Sequence, residues 1–332
     1  MQYTTLGNSN LRVSRIGFGT WPIGGTHGKG DYGPVDDRTA VEAIRYALDL
    51  GITVFDTAPA YGHGRAEEIL AKALAGRRDD VVLVTKCGLH WSEERDWYSD
   101  SSRAAIIEGV EQSLVRLRTD VIDLLLIHSP DLTTPATEPM EALAELREQG
   151  KIRYVGVSNF SLELLDEYLS LGPLHAQQVS YHMLDRRMER SMIPSCRDRG
   201  VGVMGFGSLA HGLLSGQWTD ETRFPANDWR AEGVVFGLPL LTPENFATNI
   251  DVVQRLNAFA LEKGTTLPKL AMAWVLRGDV AIALVGAVTP EEIKDDAESA
   301  ALTLAPEDLT AIDVILSDAA GTSPDAPEYQ GD

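Results

Sequence analysis

The sequence predicts an α/β protein: a closed (β/α)8, or TIM, barrel with an N-terminal β-hairpin and a long loop after the seventh strand. Three observations carry this expectation. Short apolar runs alternate eight times with longer amphipathic ones. Several short runs, such as VVLV (81–84) and LLLI (124–127), are continuously apolar, as parallel strands become when helices cover them. The 332 residues show no linker and no change of composition, a length that suits one barrel domain. Residues 1–318 are expected to form that domain, with 319–332 as a loose tail.

The elements follow in order. YTTLGNSNLRV (3–13) reads as a hairpin turning on Asn8 and Ser9, placed to plug the N-terminal end of the barrel. RIGFGT (15–20) is the first barrel strand, followed by a helix over 36–51 with Val41, Ile44, Ala47 and Leu48 on one face and Gly51 as its stop. The next units are ITVFD (52–56) with helix 65–76, VVLVTK (81–86) with helix 102–118, and IDLLLIH (122–128) with helix 137–149. They continue with IRYVGVS (152–158) and helix 161–170, AQQVSY (176–181) and helix 187–199, and VGVMGF (201–206) and helix 249–263. The last strand, VAIALVG (280–286), is fed by a helix over 268–277 and followed by one over 290–300. The connection 207–248, rich in Trp, Gly and Pro, is long enough to be read as a functional lid.

Composition narrows the partners. The chain is 44% hydrophobic and 23% charged, and its formal net charge is −20. Such a surface repels nucleic-acid phosphates and anionic lipid, which leaves small molecules as the expected partners; the oligomeric state is left open. Two cysteines, Cys87 and Cys196, make neither a disulfide framework nor a thiolate metal site. MQYTTLGNSN has no signal-peptide pattern, and no apolar run reaches the roughly 20 residues of a membrane span, so a cytoplasmic location is expected. GVGVMG (200–205) matches the glycine fingerprint of dinucleotide-binding folds, but it follows a helix end and lies within a strand. That fingerprint works only between a strand and the helix it opens, so the match is discounted. GFGTWP fails the pattern because Pro22 stands in the third glycine's place.

Chemistry in such barrels sits at the C-terminal strand ends. There the sequence places Asp56, Lys86, His128, Ser158, Asn159, Gln178 and Tyr181, with Tyr61 on the turn of VFDTAPAYGHG (54–64). Singly, each has an ordinary structural explanation, such as a helix cap or a packed histidine. Together they suit acid catalysis by a phenol. A tyrosine hydroxyl ionises near pH 10, and a close cation lowers that value. Lys86 supplies the cation, Asp56 keeps it charged, and His128 faces a substrate oxygen or joins the relay. No metal is called for.

DTAPAYG, the TK ending at Lys86, the IDLLLIH ending at His128 and GKIRYVGVSNF (150–160) resemble the aldo-keto reductases, from LGNSNLRVSRIGFGTW through LVGAVTPEEIKDDAES. TRFPANDWR (222–230) is similar to bacterial members of the inositol-operon type. The resemblance implies an NAD(P)(H)-dependent oxidoreductase that moves a hydride between nicotinamide and an aldehyde or ketone, or from a sugar or alcohol in reverse. Tyr61 would be its general acid/base, with Asp56, Lys86 and His128 as partners. It further implies that Gly19, Thr20 and Trp21 line the nicotinamide end. Ser158, Asn159 and Gln178 would hold the carboxamide, and Phe206 would stack on the ring. Gly207, Ser208 and Leu209 would follow the pyrophosphate, and Gly286, Thr289, Glu292, Asp295 and Asp296 the adenosine end. The acidic stretch GAVTPEEIKDD (286–296), where a 2′-phosphate would need basic residues, leans the cofactor toward NAD(H) or dual use. Glu292 also fits a capping box with Thr289. Trp21, Trp91 and His128 are expected to wall the substrate pocket, with Tyr98 and Trp229 further out. Arg65 and Arg95 are the candidate cations for an anionic substrate. The rival reading is an NAD(P)-binding barrel serving as a redox-sensing or regulatory subunit with little turnover.

Overall fold

The computed structural model describes residues 1–25, 32–92, 97–226 and 228–322. Its centre is a closed barrel of eight parallel strands: β3 (Ile16–Gly19), β4 (Val54–Asp56), β5 (Val82–Cys87), β8 (Ile122–Ile127), β9 (Ile152–Ser158), β10 (Ala176–Ser180), β11 (Gly202–Phe206) and β12 (Val280–Gly286). β1 (Tyr3–Thr5) and β2 (Arg12–Ser14) form the expected hairpin, and β6 (Leu89–His90) pairs with β7 (Tyr98–Ser99) in a small ribbon beyond β5. The first five helices are α1 (Asp37–Asp49), α2 (Arg65–Ala73), α3 (Arg103–Leu117), α4 (Thr137–Glu148) and α5 (Leu162–Leu171). They are followed by α6 (Met192–Asp198), α7 (Pro243–Glu262), α8 (Leu267–Val275), α9 (Pro290–Glu298) and α10 (Pro306–Leu316).

Side-chain alternation along each strand sorts the core into two layers. Ile16, Phe18, Phe55, Leu83, Leu125 and Val179 face outward and pack under the helices. Val54, Val84, Leu124, Leu126, Ala176, Met204, Ile282 and Leu284 face inward. The hairpin closes the inner layer from below with Leu6, Leu11 and Val13. Its turn is seated at the strand starts, where the Asn8 amide donates to the Gly200 carbonyl at 2.7 Å. Gly7 approaches the backbone of His175, Gly200 and Gly202 so closely that any side chain there would collide. The plug therefore lies at the N-terminal end, as the sequence indicated.

The same parity fixes the top layer. Counting by twos from the inward residues brings Gly19, Asp56, Lys86, His128, Ser158, Gln178, Phe206 and Gly286 to the interior face at the C-terminal rim, one from each strand. Tyr181 falls on the opposite parity, contrary to its expected place on the rim. Its hydroxyl donates to Glu189 at 2.7 Å and its ring stacks on Trp274 under the helices.

Other elements depart from expectation. Residues 187–199 split into a 3-10 turn (Arg187–Glu189) and α6, and α7 begins at Pro243 rather than 249. Thr242 precedes that proline as N-cap, so the lid ends earlier, at 242. α10 was not anticipated; Pro306 opens it after LTLA, with Asp308 accepting from the Ala305 amide.

Candidate active site

Asp56 ends β4 and Lys86 lies one residue from the end of β5, on neighbouring strands with side chains turned inward. Lys86 is 1% exposed, and its ammonium makes three contacts: Asp56 Oδ1 at 2.6 Å, the Thr57 carbonyl at 3.0 Å and the Tyr61 hydroxyl at 3.1 Å. An ammonium has three hydrogens, so all are assigned. The second carboxylate oxygen of Asp56 accepts from Gln178 Nε2 at 2.8 Å. Burial pulls the Lys86 ammonium down, but Asp56 and then Tyr61 outweigh it and hold it above the usual lysine value. Burial lifts the Tyr61 phenol above its usual value; Lys86 opposes this without overcoming it. The nearby cation alone would lower the phenol, and desolvation reverses the net direction.

The turn that carries Tyr61 is tightly built. Gly62 has φ +60° and lies flat against the Gly24 backbone, where an added Cβ would run into the Gly24 carbonyl. Arg65 then fastens the turn to two other segments, donating to the Ile23 carbonyl at 2.6 Å, the Val35 carbonyl at 2.8 Å and Asp37 at 2.5 Å. With its guanidinium engaged this way, Arg65 is a structural clamp rather than a substrate cation. Arg95 lies outside the described residues. Behind the rim, Glu67 is fully buried and joins Arg116 at 2.6 Å to Thr85 at 2.7 Å, which ties α3 and α2 to β5.

His128 follows β8 and presents its ring edge-on to Tyr61, centroids 5.8 Å apart. Burial, then the charge of Lys86, hold it well below the usual histidine value, so it is neutral near pH 7. Asn159 donates to the His128 carbonyl at 3.3 Å and takes a left-handed φ of 59°. Its backbone amide donates to the Gln178 carbonyl at 3.0 Å, and Ser158 pairs in register with Gln178. The expected carboxamide group of Ser158, Asn159 and Gln178 is thus one contiguous patch beside Asp56.

Aromatic rings cover the rim. Trp21 stacks on Tyr61 at 6.1 Å and 18°, and Trp229 from the lid stacks on Trp21 at 5.4 Å and 20°. Tyr32, His211 and Phe236 meet Trp21 edge-on at 5.2, 6.1 and 6.2 Å. Phe206 contacts Phe236 at 5.0 Å and His211 at 6.4 Å. The lid is held down by Arg230, paired with Asp228 at 2.6 Å and lying 4.8 Å over the Tyr32 ring. Arg187 holds it as well, bonding the buried Asp185 at 2.8 Å and donating to the Phe236 carbonyl at 2.8 Å. Trp229, ranked as distant by sequence, joins the site, whereas Trp218 packs on Phe224 within the lid. Trp91 stacks on His63, two residues after Tyr61, at 4.8 Å and meets Trp97 at 6.0 Å. Tyr98 stacks on His90. Sequence reasoning missed Tyr32, His211 and Phe236, whose only signal was their place in or near long connections.

The residues fit a nicotinamide dinucleotide. Among the described residues, Thr20 Oγ1, Thr57 Oγ1, His128 Nδ1, His211 Nε2 and Trp229 Nε1 are buried with no hydrogen-bond partner, all on residues at or over the rim. Orphaned groups of this kind cost roughly 1–3 kcal/mol each unless a ligand satisfies them. Gly207 is left-handed (φ +67°) and lies so close to His211 that a Cβ would come within 2.6 Å of Nε2. Ser208 is buried, and its hydroxyl lies 3.4 Å from the Gly205 carbonyl; Leu209 is half-buried beside it. Gly286 leaves a space that Pro22 would contest, 2.5 Å from an added Cβ. At the far end, Glu292 closes α9: its carboxylate accepts from the Val288 amide at 2.8 Å and the Thr289 amide at 3.3 Å, and Thr289 caps in return. Asp295 pairs with Lys269 at 3.3 Å. Asp296 is 3% exposed on the inward side of α9, and burial, with Asp295 and Glu292, pushes its carboxyl up to about 8.

A parallel barrel with a hydrogen-bonded carboxylate, ammonium and phenol on its rim, and buried polar atoms left unpartnered among the described residues beside them, is the frame of a barrel oxidoreductase. The chain belongs to the aldo/keto reductase family, whose model matches residues 15–317, and it is a nicotinamide-dependent carbonyl oxidoreductase. It is 40% identical over 333 aligned residues to the aldo-keto reductase YhdN of Bacillus subtilis (strain 168), covering 99% of this chain and 97% of that one. It is 35% identical to an NADH-specific methylglyoxal reductase of Escherichia coli (strain K12), covering 93% and 97%. Among solved structures it superposes on a glycerol dehydrogenase from Gluconobacter oxydans with a TM-score of 0.87 and 34% identity, over 99% of each chain. Among the described residues, no helix is long and apolar enough to cross a membrane.

Proposed function

We propose that this protein reduces small, uncharged aldehydes or ketones, and oxidises the matching alcohols in reverse, with Tyr61 as the acid/base. One observation carries the reading. Lys86 donates to the Tyr61 oxygen at 3.1 Å, so the phenol's own proton cannot point at the lysine and is directed outward, toward the rim. A bound nicotinamide dinucleotide would supply or accept the hydride. Tyr61 gives its proton to the substrate oxygen as negative charge develops there, and the phenolate left behind rests against Lys86. Asp56 keeps that lysine charged through the 2.6 Å contact. His128, neutral, offers a ring nitrogen that orients the oxygen beside the phenol.

Trp21, Trp229 and His128 would wall the substrate, which favours small carbonyls and polyols over anionic ones. Ser158, Asn159 and Gln178 would hold the carboxamide, Phe206 the ring face, Gly207 to Leu209 the pyrophosphate, and Gly286 and Thr289 the adenosine. The carboxylate of Glu292 at the start of α9 puts negative charge where a 2′-phosphate would sit, which supports NADH over NADPH. The rival reading, a regulatory subunit, gains no support from relatives named as reductases and dehydrogenases. The test is a panel of aldehydes and ketones with NADH and with NADPH, followed at the nicotinamide absorbance, and of polyols with NAD+. Turnover of uncharged carbonyls, faster with NADH, is expected. Tight NADH binding with no turnover on any carbonyl would overturn the reading.

A further inference from the structure

Two nitrogens of the lid are buried with nothing to bond. Among the described residues, Trp229 Nε1 and His211 Nε2 have no hydrogen-bond partner. Their rings meet edge to face, 5.3 Å apart at 86°. Both also meet Trp21, Trp229 by stacking at 5.4 Å and His211 edge-on at 6.1 Å, and Trp21 in turn stacks on Tyr61. One indole therefore links the pair to the acid/base phenol.

The fold holds both rings there at a cost. His211 is 5% exposed, and it and Ala210 take left-handed backbone angles, φ 57° and 48°. That conformation costs a non-glycine residue roughly 1–2 kcal/mol. Trp229 opens a 3-10 turn (Trp229–Glu232) capped by Asp228. Arg230 fastens the turn, pairing with Asp228 at 2.6 Å and donating to the His211 carbonyl at 3.3 Å. A buried polar atom left unpaired adds about 1–3 kcal/mol. Strain and unmet bonds kept in one place point to a ligand. An indole N–H only donates. Burial keeps His211 well below the usual histidine value, so near pH 7 its imidazole has one donor and one acceptor nitrogen. A hydroxyl, which both donates and accepts, suits the two together. Arg230 is already paired with Asp228, so the turn offers an anion little.

We propose that Trp229 and His211 are specificity-determining residues that bind a hydroxyl carried beside the reacting carbonyl, which makes hydroxycarbonyls and vicinal diols the preferred substrates. This rests on the acid/base reading of Tyr61 and narrows its substrate class.

Hydroxyacetone and butanone differ by a hydroxyl in place of a methyl, so the ratio of their kcat/KM values with NADH reads the contact. Comparing each variant's ratio with that of the unaltered protein cancels their different intrinsic reactivity. The ratio is taken within one preparation, so a partly misfolded sample does not change it. Trp229→Phe keeps a ring on Trp21 and deletes the N–H. His211→Phe keeps a ring beside Phe236 and deletes both nitrogens; His211→Leu deletes them with a smaller side chain. The unaltered protein should favour hydroxyacetone, and each variant should cut the ratio by about tenfold, the worth of one hydrogen bond to a buried group. The NADH Kd, read by nucleotide fluorescence, should stay near its unaltered value. Ratios unchanged in the variants at both positions would overturn the proposal and leave water as the occupant. A loss confined to the NADH Kd would overturn it too, assigning the nitrogens to a hydroxyl of the cofactor's ribose. So would an unaltered protein that favours butanone. A Tyr61→Phe protein with full turnover would sink the acid/base reading instead, a distinct result.

Discussion

The ammonium of Lys86 stands 3.1 Å from the Tyr61 hydroxyl and donates to it; Lys86 is buried, and Tyr61 is half-buried with its ring stacked on Trp21. This geometry makes Tyr61 a donor at neutral pH, because burial keeps the phenol above its ordinary value and the lysine waits to receive the anion. Tyr61→Phe is expected to retain NADH binding and lose about 10²–10⁴ in kcat, the usual worth of general acid catalysis. Reduction by the unaltered protein should stay level through neutral pH and decline only as the phenol ionises, above about pH 10. Steady-state kinetics from pH 6 to about pH 10.5 check both.

Asp56 and Lys86 are each almost fully enclosed, so neither tolerates loss of the other. Lys86→Met strands a buried carboxylate and should cost about 3–5 kcal/mol in urea denaturation. The double variant Asp56→Asn/Lys86→Met should recover much of that loss. If single and double variants are equally unstable, the two residues are not coupled as a buried pair.

His182 and His211 are buried and His128 half-buried, and each is held below its ordinary value chiefly by desolvation, His182 at about 4. The unfolded chain takes up protons at about 6.5, before the folded one does. The stability they confer is therefore full above about 6.5 and declines as pH falls toward 4. Urea midpoints at about pH 7.5, 5.5 and 4.5 should drop in that order, and His182→Gln should flatten the slope.

Asp296 has the opposite sign. Its folded value is raised to about 8, so its contribution is full below the unfolded carboxyl value, about 3.9, and is lost as pH climbs through 8. Asp296→Asn removes that ionisation. It should raise Tm above pH 8 by a few degrees, about 1 kcal/mol, with less effect at pH 5. An unchanged difference between the two pH values would place the carboxylate in contact with water.

Glu292 caps α9 with a charged carboxylate. Glu292→Gln keeps the hydrogen-bonding shape and removes the charge. The NADPH-to-NADH ratio of kcat/KM should rise by about tenfold, on the order of one close charge near the surface. Binding of NADH should barely change.

Much of this molecule could be read along the chain. The eight strand and helix alternations are local signals, since period 2 and period 3.6 need no knowledge of the fold. Alternation then carries Asp56, Lys86 and His128 inward, and the hairpin announces itself by its turn. What failed had nonlocal causes. Tyr181 has the right residue type at the right strand but the wrong parity. α10 and the early start of α7 carried proline start signals, but neither stood out from its surroundings as an apolar stripe.

The sequence by itself determined the barrel, the strand-end acid, amine and imidazole, and the turn bearing the phenol, because those follow from periodicity, from glycine and proline, and from order along the chain. Only the tertiary structure decided that Trp229 closes over Trp21, that Gln178 reaches across to Asp56, and that Tyr61 is more desolvated than it is assisted by Lys86. Each of these depends on which groups displace water from which others. Burial is set by distant segments meeting in space, and no local pattern records it.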